Sequence, residues 1–548
     1  MSMKKSSLWL PFWIAVGVAV GIFIGNKFMV FDNSSVRNVF GGKNKIDQVL
    51  SAISKSYVDT VDVDRLVENA IPTILAGLDP HSSYISAEEM ALTGEMLDGH
   101  FSGIGVEFII YEDTVSIVNI IPGGPSEAVG IRKGDRIVYV EDSLFVGEKL
   151  TNEKVYNKLR GANGTQVKLG IKHKEKQDTT TYVVTRANVP VVSVNSAYKL
   201  DDKIGYIKVS QFGSTTYSEF IGAIAKLKSE GCEAFIVDLQ QNGGGYLGTP
   251  RAMVNEFLDA GQLIYYTEGR IYPREDVFAD GLGTLKKEQI VVLLDEASAS
   301  ASEVFAGALQ DNDRGLIVGR RSFGKGLVQH PFMFKDGSSM RLTIARYHTP
   351  SGRCIQKEYE MGNGDNYSHD LMNRYMRGEF DNQDSIKSDN LPLFHTVAGR
   401  PVYGDNGIMP DVFVPRDTIG QNSYSIKIFN SGVLRDFAFS YCDKNRELFT
   451  KFKTWEEARD YLNTQPIVNE LANYAHSKGI NRRPQLIYEA YTLLKDQTEA
   501  LILRNIYGDV AFYPVIQRND VLLKETVKLI KEGKAKPEAI ANKLYSKK

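Results

Sequence analysis

The sequence predicts an α/β (α+β) multidomain fold: a mixed-sheet core with covering helices, an inserted domain of short strands, an N-terminal transmembrane helix and a helical C-terminal extension. Three observations carry this. After Val189-Pro190 the chain alternates strand-like segments (residues 203–209, 234–239, 290–294) with a helix-like one at about 217–230, which implies a sheet with helices over it. From His100 to about Arg186 the texture is short strands and turns. Beyond Arg416 apolar residues recur at helical spacing, as in Ile487, Tyr491 and Leu494, and later Leu523, Val527 and Ile530. The chain has 548 residues, room for three or four domains. Its formal net charge of -2 and lack of a broad basic stretch exclude a nucleic-acid footprint. Cys232, Cys354 and Cys442 show no metal-ligand spacing and allow at most one disulfide.

In chain order, residues 1–30 read as a cytoplasmic stub and a membrane anchor. Lys4 and Lys5 precede an uncharged, mostly apolar run at residues 8–25, 18 residues long and sufficient for a single-pass helix. No small-x-small cleavage site follows it, so it reads as retained, with everything after about residue 30 outside the cytoplasmic membrane, in the periplasm. Residues 40–97 form an N-terminal helical segment ending near Leu78-Asp79-Pro80-His81-Ser82, where Pro80 stops a helix. His81, alone beside a proline turn, reads as structural. Residues 98–188 look like a PDZ domain. Gly103, Ile104, Gly105 and Val106 fit its carboxylate loop, whose successive N–H groups hold a chain's terminal carboxylate. Residues 189–415 form the core and 416–548 the helical extension, which offers a surface for a homo-oligomer or an adaptor.

Within the core, the strand at 290–294 runs into Asp295-Glu296-Ala297-Ser298-Ala299-Ser300-Ala301-Ser302-Glu303. Ser300 through Glu303 is a capping box before the apolar-periodic helix of Val304, Phe305, Ala308 and Leu309, and a serine at such a start faces free N–H groups that suit a developing oxyanion. Gly324-Lys325-Gly326 follows. A serine with a lysine desolvated enough to be neutral reads as a Ser/Lys hydrolase. Between them in chemistry stands the turn Gln240-Gln241-Asn242-Gly243-Gly244-Gly245, able to approach a substrate carbonyl closely. Residues 319–326 also match most of a phosphate-binding loop, but Gly326 replaces the hydroxyl residue and residues 327–331 read as extended chain, so an ATPase is not expected. No metal, nucleotide or other cofactor is called for.

Taken together, Leu-Asp-Pro-His-Ser before the PDZ domain, the PDZ glycine loop, Asp-Leu-x-x-Asn-x-Gly-Gly, Ser-Ala-Ser-Ala-Ser-Glu, Phe-Gly-Lys-Gly-x-Val-Gln, residues 349–356 and Gly407-Ile408-Met409-Pro410-Asp411 resemble the carboxyl-terminal processing peptidases, or tail-specific proteases, over residues 78–414. The resemblance implies Ser300 as nucleophile, Lys325 as general base 25 positions on, Gln329 in support of the lysine, and an oxyanion hole from the N–H groups of Ala301 and a turn glycine, Gly244. It implies a serine endopeptidase acting on proteins or peptides with apolar C-terminal tails captured by the PDZ domain. Lys325 must then sit in an apolar pocket short of carboxylates, with Phe323 and Val328 as walls. Gly243 stands where the family carries proline, which predicts a more flexible turn. Residues 357–406, rich in Asn, Asp, Tyr and Met, interrupt the family pattern and read as a mobile surface loop. The competing function is a non-catalytic extracytoplasmic PDZ scaffold, which would have lost the serine, lysine or glutamine; all three are present.

Overall fold

The computed structural model describes residues 44–87, 89–90, 97–173, 178–386 and 390–542. Of the described residues, those up to Ile74 form one compact unit and those from Leu75 another. Helix Lys45–Ser56 starts at Asn44, whose side chain accepts from the Asp47 N–H at 3.1 Å, and helix Val63–Ala76 follows in sequence. The apolar run at 8–25 lies outside the described residues; among those, no helix is long and apolar enough to cross a membrane.

The peptidase-like core of the second unit is a six-stranded sheet in the order Val194–Asp201, Ile204–Val209, Ala234–Asp238, Gln289–Leu294, Leu316–Gly319, Val412–Phe413, antiparallel at the first pairing and parallel thereafter. Its central strands are near-continuous apolar runs because both faces are covered. Alternation divides their side chains between the faces. Phe235, Val237, Val292 and Leu294 join Phe220, Met253 and Phe305 from helices Thr216–Ser229, Gly248–Asn255 and Ala301–Asp311. On the other face Ile236, Val291 and Leu293 meet Leu522, Leu523, Leu529 and Ile530 of helix Val521–Lys531. The late stripe of the extension therefore completes the core, each large side chain contributing about 1.5–3 kcal/mol on full burial. The earlier stripe divides instead. Ile487 and Leu494 are buried in a separate helical core, while Tyr491 is exposed because the chain breaks at Ala490 between helices Pro484–Glu489 and Tyr491–Tyr507.

A second, antiparallel sheet joins Ser83–Ile85, Ser339–His348, Leu263–Glu268 and Glu275–Phe278, with Leu327–Met333 paired to Ser339–His348. The strand Ser83–Ile85 corrects the purely helical reading of residues 40–97. Asp79 makes the turn that launches it, accepting from the His81 N–H, the Ser82 N–H and hydroxyl, and the Thr343 hydroxyl. The strands Val106–Tyr111, Thr114–Ile120, Arg136–Val140, Gln166–Lys172 and Thr179–Thr185 form the antiparallel PDZ sheet, closed below by the pair His100–Gly103 and Ala187–Pro190. The stretch 357–406 is not a bare loop. It contains helix Gly364–Met376, a 3-10 turn Gln383–Ser385 and the hairpin Leu393–His395 with Pro401–Tyr403. Polar burial orders it: Arg374 is fully buried and Glu379 nearly so. All three cysteines are free.

Candidate active site

Three parallel strands deliver three loops to the same end of the sheet, their carboxyl ends, where open α/β sheets place their sites. Ala234–Asp238 leads to the glycine turn, Gln289–Leu294 to Ser300, and Leu316–Gly319 to Lys325. Backbone bonds lock them: the Asn242 carbonyl accepts from the Ala299 N–H at 3.0 Å, and the Ser298 carbonyl from the Phe323 N–H at 2.9 Å.

The three serines of the run differ in what their hydroxyls do. Ser298 and Ser302 are fully buried and donate to backbone carbonyls, Ser298 to Leu239 at 2.9 Å and Ser302 to Asn242 at 2.8 Å. Ser300 is half-buried and sits at the start of helix Ala301–Asp311 with φ 58° and ψ -114°. A non-glycine residue held there costs on the order of 1–3 kcal/mol, strain that recurs at functional sites. The Ala301 N–H has no hydrogen-bond acceptor among the described residues. A Cβ on Gly244, whose φ is +105°, would lie 2.8 Å from Ser300 Cβ and 3.0 Å from Ala301 N, so only glycine lets the turn approach. The Gly244 N–H itself donates to Asn242 Oδ1 at 2.9 Å. Asn242 also donates to the Val209 carbonyl at 3.0 Å. Those bonds pin the turn that Gly243 was expected to loosen.

Lys325 Nζ donates to Gln329 Oε1 at 3.3 Å, and Gln329 Nε2 donates to the His81 carbonyl. Among the described residues no direct hydrogen bond joins Lys325 Nζ to the Ser300 hydroxyl, as is common before substrate tightens a site. Glu303 joins the two loops instead. Its carboxylate, fully buried, accepts from the Ser300 N–H (2.8 Å), the Lys325 N–H (2.8 Å), the Gly324 N–H (2.7 Å) and the Ser322 hydroxyl (2.5 Å). Burial pushes Glu303 up from the usual carboxylate range, opposed by those donors. Burial, then Arg341, holds the Lys325 ammonium below the ordinary lysine range, against the pull of Glu303 and Asp79. The pocket is thus not short of carboxylates, and Phe323 packs on Tyr367, ring centroids 6.0 Å apart, as part of the lysine loop's outer support. His81 is pushed down to about 4 by burial and then by the Lys325 charge. Its Nε2 lies 2.8 Å from the Tyr367 hydroxyl.

Sequence reasoning gave Glu303 only a capping role and His81 only a turn. The capping box signals the first but not its reach to the lysine loop, and no local pattern signals Tyr367. In the PDZ domain, Ile104 is buried and its carbonyl accepts from the Ser126 N–H at 3.0 Å, while Gly105 takes φ +74°, so the expected loop is a tight, fixed turn beside Val106. Among the described residues no group of His, Cys, Asp and Glu could hold a metal.

A PDZ domain beside a sheet whose strand ends present a strained serine and a half-buried lysine held below the ordinary range defines a PDZ-bearing serine-type peptidase. The chain matches peptidase family S41 over residues 203–362, a PDZ domain over 102–184, the N-terminal domain of the activating protease CtpB over 27–89, and a family of unknown function over 424–508. A carboxy-terminal-processing protease of Bartonella bacilliformis is 33% identical over 347 residues, 61% of this chain and 78% of that protein. A probable CtpA-like serine protease of Staphylococcus aureus is 33% identical over 343 residues, 62% and 67% of the two chains. A solved photosystem II D1 C-terminal processing protease is 28% identical with a TM-score of 0.32, covering 56% of this chain and 88% of that one. The chain belongs to the carboxyl-terminal processing peptidases.

Proposed function

We propose that the protein is an endopeptidase that cleaves proteins near apolar C-terminal tails through a Ser300/Lys325 dyad. Ser300 Oγ attacks the scissile carbonyl carbon and gives its proton to Lys325 Nζ, which passes it to the leaving amine; water then attacks the acyl-enzyme, with Lys325 taking and returning a proton in the same way. Gln329 orients the amine. The Ala301 N–H and the Gly244 N–H, once it exchanges Asn242 for substrate, receive the oxyanion. The loop of Gly103, Ile104, Gly105 and Val106 binds the tail's carboxylate. The observation that carries the dyad is the difference among the serines: Ser298 and Ser302 spend their hydroxyls on backbone carbonyls, whereas Ser300 is strained, half-buried and tied through Glu303 to the lysine loop.

The test uses purified full-length protein and an unfolded substrate ending in apolar residues. Wild type is expected to cleave it, Ser300→Ala and Lys325→Ala to be inert with unchanged melting, and an amidated tail to slow cleavage. Activity retained by Lys325→Ala sinks the dyad, and equal rates on acid and amide tails sink PDZ capture.

A further inference from the structure

We propose that the insertion at residues 357–406 is a positioning brace for the catalytic-base loop, with Tyr367 and Arg374 of helix Gly364–Met376 holding Lys325 and Gln329 in register. The inference rests on the Ser300/Lys325 reading above.

Two arms carry the brace. In the first, Arg374, with no exposed surface, donates to the carbonyls of Arg321 (2.7 Å) and Ser322 (2.9 Å), which lead through Phe323 to Gly324 and Lys325. Arg374 is itself fixed by Glu379 at 2.9 Å, and Glu379 also accepts from Arg321 at 2.6 Å and 2.9 Å. A guanidinium satisfied on carbonyls at one end and a shared carboxylate at the other can be made only with the loop in one position. In the second arm, the Tyr367 hydroxyl accepts from Gln356 Nε2 at 3.3 Å and lies 2.8 Å from His81 Nε2. The His81 carbonyl receives Gln329, and Gln329 receives Lys325 Nζ. Gln356 closes the circuit by accepting the Gly326 N–H at 2.9 Å. Between the arms, the Lys357 ammonium lies 4.1 Å from the Phe323 ring centroid and 4.0 Å from that of Tyr367, paired with Asp370 at 2.9 Å.

The brace has a chemical consequence because burial is the main cause of the depressed Lys325. The groups facing that amine are Arg341 from the strand Ser339–His348, Glu303 from the nucleophile helix, and Asp79 and His81 from the turn before Ser83–Ile85. None of them belongs to the insertion, so the insertion acts by keeping the loop closed against water rather than by charge.

The experiment measures kcat and KM against pH for full-length wild type, Tyr367→Phe, Arg374→Met and Arg374→Lys on the apolar-tailed substrate, with melting temperatures in parallel. Tyr367→Phe and Arg374→Met are expected to move the acid limb of kcat upward by about one pH unit, lowering kcat near neutrality about tenfold, with KM unchanged; Arg374→Lys recovers most of the loss. A purely structural insertion would lower the melting temperature and scale the profile without moving its limb, and that result overturns the proposal. Should Arg374→Met not fold, Tyr367→Phe decides alone, since it keeps the ring's contacts with His81, Phe323 and Lys357 and removes one hydroxyl. An active Lys325→Ala control would remove the dyad reading itself, whereas an inert control with an unmoved limb in Tyr367→Phe removes only the brace.

Discussion

Replacing Glu303 by glutamine keeps the shape of the side chain and tests whether the buried carboxylate aligns the proposed nucleophile Ser300 with the proposed base Lys325. All four of its partners donate: the Ser322 hydroxyl already accepts the Ile408 N–H at 2.7 Å, so its hydrogen points to Glu303. One oxygen serves Ser322 and Gly324 and the other serves Ser300 and Lys325. An amide has one oxygen, so whichever way it turns, its NH2 faces two of the donors. Two buried donors without acceptors cost about 1–3 kcal/mol each, or roughly 2–6 kcal/mol, reduced by the relief of burying a neutral group in place of a charge. If the amide turns its NH2 toward Ser300 and Lys325, the nucleophile and base loops part, and a shift near 1 Å lowers kcat on the order of a hundredfold. A second effect runs in the opposite sense. The Glu303 charge raises the Lys325 pKa, so its removal moves the acid limb of kcat to lower pH while the plateau falls. The assay is kcat from about pH 5 to 10 on an apolar-tailed substrate, with urea denaturation alongside. A variant with wild-type plateau activity would refute the alignment role.

Ser298→Ala leaves the buried Asp295 N–H, now bonded to the Ser298 hydroxyl at 3.0 Å, without that acceptor, a loss of about 1–3 kcal/mol of stability. Ser302→Ala loses less, because the Asn242 carbonyl keeps the Ala299 N–H. Both stay active within a few-fold; an inert Ser298→Ala or Ser302→Ala beside an active Ser300→Ala would move the nucleophile. The His81 imidazole is held at about 4, below its ordinary 6.5, so the folded state binds fewer protons than the unfolded one and stability falls as pH drops from 6.5 toward 4, by at most about 3 kcal/mol. His81→Asn should flatten that fall in urea midpoints compared at pH 7.5 and 4.5, and an unchanged slope counts against the assignment.

What the sequence made legible is what local spacing encodes. Ser300, Lys325 and Gln329 were expected from the resemblance that short, ordered motifs carry, and the sheet with covering helices from the apolar strand runs. The strand Ser83–Ile85 escaped because it has three residues and takes its order from Asp79 and Thr343 across the chain. Helix Gly364–Met376 escaped for a different reason. Periodicity reports apolar faces, and this helix docks through Tyr367 and the buried Arg374, a polar attachment that composition alone reads as surface. The turn at Gly243 was judged by its missing proline, whereas the stiffness comes from Asn242, buried and bonded to neighbouring loops.

The two additions to the family core differ in how firmly they can hold what they touch. The helical domain at 423–516 meets the PDZ domain through the Arg136–Asp443 pair at 3.3 Å, with side chains 24% and 13% exposed, a Lys133 bond to the Ile506 carbonyl at 3.3 Å and the Tyr111 and Phe439 rings 5.2 Å apart. Such contacts contribute about 0–1 kcal/mol for a partly exposed ion pair and about 0.5–1.5 kcal/mol for an aromatic pair. The insertion holds the lysine loop through charges out of water, where removing one partner of a buried pair costs about 3–5 kcal/mol. The PDZ attachment is therefore the more solvent-exposed joint. A strained serine and a depressed lysine need a fixed frame, and the insertion, not the PDZ attachment, supplies buried charge to hold one.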